Sequence, residues 1–257
     1  QACETAMVFI GRMFLSKLHP ELMNAAMGGG LTVFMMISFF LGLTGYSTAL
    51  VAQYFGANRK QHCSLVVTQA LLVCVLAYPV ILASRPLAHL LFEAMRLAPA
   101  QLEPQKAYFD LLLLGAFLPL FKGCLASFFS GIGRTAVVLT SSCVAMLASA
   151  VADYVLIFGH FGAPALGIRG AACGALFGSA CGLAVLVLAY ARKRNRDEFG
   201  LARSFRFDRS TAQKLLRYGS PTGLEMLSGF MAFNAMVLIF HSLGPVTATA
   251  RSEEHTS

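Results

Sequence analysis

Charged positions leave the chain in long gaps. None occurs from Leu22 to Asn58, Cys63 to Ser84, Gly170 to Ala191 or Met226 to Ala250, and Thr135 to His160 carries only Asp153. Ala107 to Ser130 is apolar apart from Asp110 and Lys122. A membrane-crossing helix needs about 20 predominantly apolar residues. The gaps therefore predict helices near 24–52, 63–84, 107–130, 136–159, 168–191 and 220–243. The runs are continuously apolar and lack the alternation of a membrane β-barrel. Ala2 to Phe14 is a further apolar run, too short to span. It follows Gln1 with no basic region and no small-residue cleavage site, so it reads as a spanning helix whose beginning is missing and not as a signal peptide. The expectation is an all-α, polytopic membrane protein with seven helices, the first truncated. At the other end Arg251 to Ser257, "RSEEHTS", follow an apolar helix without turn residues. They read as a cloning or adapter-derived tail, foreign to the natural chain, which would then continue past Ala250.

Composition agrees. Of 257 residues, 57% are hydrophobic and 12% charged, and the mean hydropathy is +0.67. Soluble domains carry about 25% charged residues. The 7 Cys form no Cys-x-x-Cys pair and sit mostly in apolar runs, as small packing residues do. No Gly-x-x-x-x-Gly-Lys-Ser/Thr loop is present, so ATP-driven transport has no support. No metal-ligand spacing and no nucleophile elbow occur, and no cofactor is expected. The 21 Phe and 11 Met could line an adaptable cavity for apolar cations, though most must pack helices or face lipid.

The net charge of +8 matters through its placement. Arg59, Lys60, Arg134 and the nine Lys and Arg between Arg192 and Arg217 follow helices 2, 4 and 6. Only Arg12, Lys17, Arg85, Arg96, Lys106 and Arg169 follow helices 1, 3 and 5. Positive charge stays on the cytoplasmic side, so the first set of loops is placed there. The basic run from Arg192 reads as an inter-domain linker ending in a short surface helix, Ser210 to Tyr218, with Ser210 as its cap. Its charge faces anionic lipid in this reading and no nucleic acid. The predicted division is residues 1–194 for an amino-terminal lobe, 195–217 for the linker, 218–250 for the first helix of a second lobe and 251–257 for the tail. "AMVFI" at Ala6 recurs as "AMVLI" at Ala235, in keeping with two units that each begin at that point.

Ionisable residues inside a membrane cost about 2.5–3.5 kcal/mol on insertion scales and are kept mainly at functional sites. Asp153 lies seven residues before His160 and Glu4 eight before Arg12, in helices that run in the same direction. Both carboxylates therefore fall about 10–12 Å below the outer surface. Two close carboxylates in a low-dielectric site cannot both ionise easily, which makes a proton site, or with hydroxyl and amide neighbours a Na⁺ site. A structural hydrogen bond is the alternative for Asp153, and an interfacial position for Glu4. Lys122, about 13 Å from the cytoplasmic side, either snorkels or faces a cavity. Glu225 faces a vestibule or the interface, and Asn234 is a further cavity candidate on the same helix.

Four segments carry a resemblance. "STALVAQYFGANRKQ" (Ser47 to Gln61) closes helix 2, and "FFSGIGRT" (Phe128 to Thr135) closes helix 4. "DYVLIFGHFGAPALGIRGAACGALFGS" (Asp153 to Ser179) joins helices 5 and 6, and "YGSPTGLEM" (Tyr218 to Met226) opens helix 7. Together the chain resembles the multidrug and toxic compound extrusion (MATE) transporters over nearly its whole length to Ala250. The resemblance implies twelve helices in two six-helix lobes around a central cavity, of which this chain supplies the amino-terminal lobe and helix 7. It implies export of organic cations and amphipathic drugs across the bacterial inner membrane, in exchange for H⁺ or Na⁺. It also implies an amino-lobe cation site pairing a helix 1 acid with Asn and Asp on helix 5. Asp153 matches that Asp, Ser149 stands at the Asn position, and Glu4-Thr5 lies two residues further from Gly11-Arg12 than the family pattern. A helix 6 Thr of the family's Na⁺ site is Ala175 here, and Gly229 holds the register of a deeper helix 7 acid. These departures favour H⁺ over Na⁺. A lipid-linked-oligosaccharide flippase of a related two-lobed fold would require several basic cavity residues, whereas the chain offers mainly Lys122. An intramembrane enzyme or receptor would require a constellation that the sequence lacks.

Overall fold

The computed structural model describes residues 2–95, 99–160 and 164–242. The described residues form twelve helices: α1 (Ala2–Leu18), α2 (Pro20–Gly45), α3 (Ser47–Gly56), α4 (Lys60–Ala83), α5 (Arg85–Ala94), α6 (Pro99–Leu114), α7 (Phe117–Gly131), α8 (Thr135–Phe158), α9 (Ile168–Ala191), α10 (Lys193–Phe199), α11 (Leu201–Ser204) and α12 (Arg209–Ser242). No strand occurs among them. The protein is an all-α membrane bundle. Four spans are long and apolar enough to cross a bilayer, and α6 with α7, bent by 44°, make a fifth. The first of the four runs through α2 and α3 from Glu21 to Gly56.

The charge gaps at 136–159 and 168–191 predict α8 and α9 to within a residue. The helix expected at 107–130 instead starts at Pro99 and breaks at Gly115–Ala116, before α7. The expected first helix extends to Leu18, so it outruns its apolar stretch by one turn. Asn58 at φ 57° and Gly133 at φ 76° take left-handed backbone just after α3 and α7, and both helices end there.

Leu76, Val80, Leu147, Val151 and Leu188 face outward, as a lipid-contacting surface should. Polar groups turn inward instead: Ser38, Thr44, Gln69, Gln105, Ser141, Ser149 and Asp153 are all buried. In lipid a polar group is stabilised only by internal partners. Among the described residues α8 and α9 form the most extensive helix pair. Gly170, Gly174, Gly178 and Gly182 recur every four residues along α9 and so share one face. A side-chain carbon at Gly178 would stand 2.6 Å from Ala145 O and from Ser149 Cβ, and one at Gly170 would stand 2.5 Å from Leu156 O. Only glycine lets the two backbones meet this closely, and van der Waals contact between backbones drives helix association where lipid removes the hydrophobic effect. α12 lies against α2 in the same manner, with Gly223 over Phe39 and Gly219 over Leu43, and Tyr46 stacks on Tyr218 at 6.1 Å.

The expected linker is not a loose connection. The boundary placed at 194/195 falls inside α10 and the one at 217/218 inside α12. Lys60 Nζ meets Glu198 at 2.9 Å, Arg134 Nη1 donates to Asn195 Oδ1 at 2.6 Å, and Asn195 Nδ2 donates to Ala189 O at 2.7 Å. The turns after α3, α7 and α9 are thereby joined at one end of the bundle. The cap expected at Ser210 is corrected to Asp208, whose Oδ2 accepts from the Thr211 N–H at 2.9 Å, three residues on. Ser210 itself lies inside the helix.

The hydrogen bond from Lys60 holds the Glu198 carboxyl below its ordinary range, and Arg134 adds to the effect. A lowered carboxyl stabilises the folded form above its unfolded value, near pH 4.3, and that contribution disappears as pH falls below it. At pH 7.5 the ion pairs are present in full, so Glu198→Gln should mimic acidification. We expect trypsin cleavage at Arg192, Lys193 and Arg194 to rise about two- to five-fold, the range for exposed ion pairs. Cleavage at the parental rate would mean that other contacts hold α10.

Candidate functional site

The site is built around Asp153, on α8 five residues before the end of the helix. Its side chain is only 2% exposed. Three helices enclose it. One turn earlier on α8, Ser149 donates from Oγ to Asp153 Oδ2 at 3.4 Å, at the long limit of a hydrogen bond. On α9, a side-chain carbon at Gly174 would overlap Asp153 Oδ1, and on α1 one at Gly11 would come within 3.2 Å of Oδ2. Glycine at both positions leaves the volume that the carboxyl fills. Asp153 Oδ1 has no hydrogen-bond partner among the described residues. A buried polar atom without a partner is costly, and an unpaired buried charge more so. A carboxyl held in this way can take up a proton or a small cation.

Aromatic rings pack together at the end of α8 that lies beyond Asp153. Phe14, three residues beyond Gly11, packs on Tyr154 at 6.3 Å and on Phe158 at 5.8 Å, and Tyr154 stacks on His160 at 4.6 Å. Together they join α1 to the end of α8, beside the carboxyl.

Of the predicted site residues, Asp153 and Ser149 are brought together. Glu4 lies on α1 seven residues before Gly11, so it shares the Gly11 face two turns, about 10 Å, further along the helix. The common depth expected for Glu4 and Asp153 is therefore corrected: the α1 residue level with Asp153 is Gly11. The side chain of Glu4 lies outside the described residues. Ala175 follows Gly174 on α9 and offers no oxygen where the family pattern has Thr. Lys122 is half-buried in the middle of α7, and Glu225 is exposed on α12. The side chain of Asn234 on α12, and residues 251–257, also lie outside the described residues. Sequence reasoning misses Gly11 and Gly174. The four-residue spacing of Gly170, Gly174, Gly178 and Gly182 is a readable sign of the second.

An enclosed carboxyl within a bundle of apolar helices marks a functional site in a membrane protein. Comparison with known proteins narrows the class. The MatE family profile matches residues 1–155, more than half of the chain. The chain belongs to the MatE family, whose members are transporters and not enzymes. A probable multidrug resistance protein NorM of Bacillus subtilis is 28% identical over 254 residues, which cover 96% of this chain and 55% of the relative. A probable multidrug resistance protein NorM of Rhizobium meliloti is 32% identical over 181 residues, 70% of this chain and 38% of the relative. The chain thus spans about half the length of the curated relatives it matches. Among solved structures, the outward-facing conformation of a multidrug resistance MATE transporter of the MOP superfamily aligns with a TM-score of 0.80 at 22% identity, over 90% of this chain and 51% of that one. The inward-facing conformation of such a transporter gives 0.78 at 24% identity, over 89% and 51%. These structures share the fold.

Proposed function

We propose that this chain is the amino-terminal lobe, with the first helix of the second lobe, of an antiporter that exports organic cations and amphipathic drugs by alternating access. The inward flow of a coupling cation drives the export, and H⁺ is favoured over Na⁺. The observation that carries the reading is the Asp153 carboxyl, enclosed by Gly11, Gly174 and Ser149 with Oδ1 unpartnered among the described residues. Residues 1–194 pack as the lobe, 195–217 connect it to the next, and 218–250 begin the second half. The membrane is the bacterial inner membrane, with the Arg134 and α10 end in the cytoplasm by the excess of Lys and Arg there. Glu4 is assigned with Asp153 and Ser149 to the cation path, and Lys122, Glu225 and Asn234 to the cavity between the lobes and its vestibule.

The donor set supports H⁺. Na⁺ requires several oxygen ligands in a fixed cage, whereas a proton requires one carboxyl. Ser149 supplies a hydroxyl where an amide would serve better, and Ala175 supplies nothing. The test uses the protein expressed from its complete reading frame in everted vesicles, where efflux from the cytoplasmic face is read as accumulation of a fluorescent organic cation in the lumen. Efflux should stop when an ionophore collapses the pH gradient while a Na⁺ gradient is maintained. Efflux that continues and scales with Na⁺ would reverse the assignment.

A further inference from the structure

Between α10 and α12 the chain turns back along α4. Ser64 Oγ donates to Phe199 O at 2.8 Å, and Gln69 Nε2 donates to Arg206 O at 2.8 Å, while the Asp208 N–H donates to Gln69 Oε1 at 3.3 Å. Gln69 follows Ser64 by five helical residues, so the segment descends about 7 Å along α4, away from its basic end and toward the bilayer. This descent covers the polar Ser64, Thr68 and Gln69, all buried in a helix that otherwise reads as a span. It also carries two rings with it. Phe205 is 73% and Phe207 70% exposed. Large aromatic rings left this open are unfavourable in water and favourable at the boundary between headgroups and acyl chains.

The positive charge beside them is ordered. Phe207 borders a shallow, open surface depression whose other lining residues are Arg209, Ala212, Gln213, Leu216 and Arg217. Arg209, Gln213 and Arg217 follow one another at four-residue steps on α12 and so stand in one row. The acidic neighbour Asp208 accepts from the Thr211 N–H and so is turned to the start of α12. Apolar rings at the membrane level, beside arginines two turns apart on one helix face, match a phospholipid with a negatively charged headgroup. The rings meet the acyl chains, and the guanidinium groups meet the phosphate.

We propose that Phe205, Phe207, Arg209 and Arg217 form a binding site for anionic phospholipid of the leaflet on the basic side of the lobe. The bound lipid anchors the connection between the two lobes to the membrane surface, at the point where α12 departs.

The experiment replaces Phe205 or Phe207 with photo-reactive p-benzoyl-phenylalanine in the protein expressed from its complete reading frame. The protein is placed in nanodiscs of equal phosphatidylglycerol and phosphatidylcholine, illuminated, and analysed by mass spectrometry. The same probe at Leu188, 70% exposed on α9, is the control for a generic lipid-facing position. Covalent phospholipid adducts are expected at 205 and 207, strongly enriched in phosphatidylglycerol, with no such enrichment at 188. Arg209→Gln and Arg217→Gln should each reduce the enrichment about five-fold, as expected for one basic residue at an anionic surface. Adducts that map to protein, lipid adducts with no headgroup preference, or labelling at 188 without labelling at 205 and 207 would each overturn the proposal. The first of these would assign the patch to the second lobe.

Discussion

Asp153→Asn is expected to abolish cation-driven efflux and leave the protein in the membrane. Asparagine matches the shape of aspartate, still accepts the hydrogen bond from Ser149, and fits between Gly11 and Gly174. It carries no charge that a proton or Na⁺ could neutralise. The exchange step would therefore lose its site, while packing is nearly unchanged. Insertion should not suffer, because the substitution removes an ionisable group that costs about 2.5–3.5 kcal/mol on insertion scales. The measurement is accumulation of an organic cation dye in everted vesicles under an imposed pH gradient, acid inside, normalised to the amount of protein in the membrane. Export should fall to the level of vesicles without the protein. Asp153→Glu separates charge from geometry: the longer side chain has no room beside Gly174 and should transport poorly although its charge is kept. Asp153→Asn transport at the parental rate would remove Asp153 from the coupling site and leave it as a structural hydrogen-bond acceptor.

The spans are legible because lipid imposes a simple rule. A charge-free run of about 20 residues must be satisfied by its own backbone. α8 and α9 are read almost residue for residue from that rule. It does not report where a helix bends, and the 44° break between α6 and α7 lies inside a run that hydropathy treats as uniform. Nor does it find helices outside the bilayer centre. α10 and α11 sit in a charged stretch, and the anchors of α10 and of the chain after α11, Ser64 and Gln69, are hidden in what the charge pattern shows as an ordinary apolar span. At the site, the lone carboxyl of Asp153 stands out because nothing else in its gap is charged. Its neighbours do not, because glycine contributes by the atoms it lacks. Counting residues from loops also places Glu4 level with Asp153. That count takes helix 1 to end near Arg12, whereas α1 continues to Leu18 and brings Gly11 to that level.

The glycines make the second large prediction, and its sign depends on position. In an exposed helix interior, Gly→Ala usually stabilises by about 0.8–1 kcal/mol, because alanine restricts the unfolded chain and favours helix. Gly45 and Gly56, exposed last residues of α2 and α3, have nothing within 4 Å of where an added methyl group would sit, so Ala there should leave thermal stability unchanged or slightly raised and transport intact. At Gly174 the added methyl would meet Asp153 Oδ1 and stand 3.0 Å from the Asp153 backbone nitrogen. At Gly178 it would stand 2.6 Å from Ala145 O. Backbone atoms cannot step aside as a side-chain tip can, so α9 must move away from α8 along the whole glycine face. Overpacking of this kind costs about 1–3 kcal/mol at one site, which outweighs the gain in helix propensity. Gly174→Ala should therefore lower the unfolding temperature in detergent and also suppress efflux, since the same displacement opens the enclosure of Asp153. Gly178→Ala should lower the unfolding temperature by a similar amount and affect efflux less, because it lies one turn from the carboxyl. A Gly174→Ala protein as stable as the parent would show that α8 and α9 are not held together by this face. Equal loss of efflux at 174 and 178 would show that transport responds to helix separation in general and not to the room kept for Asp153.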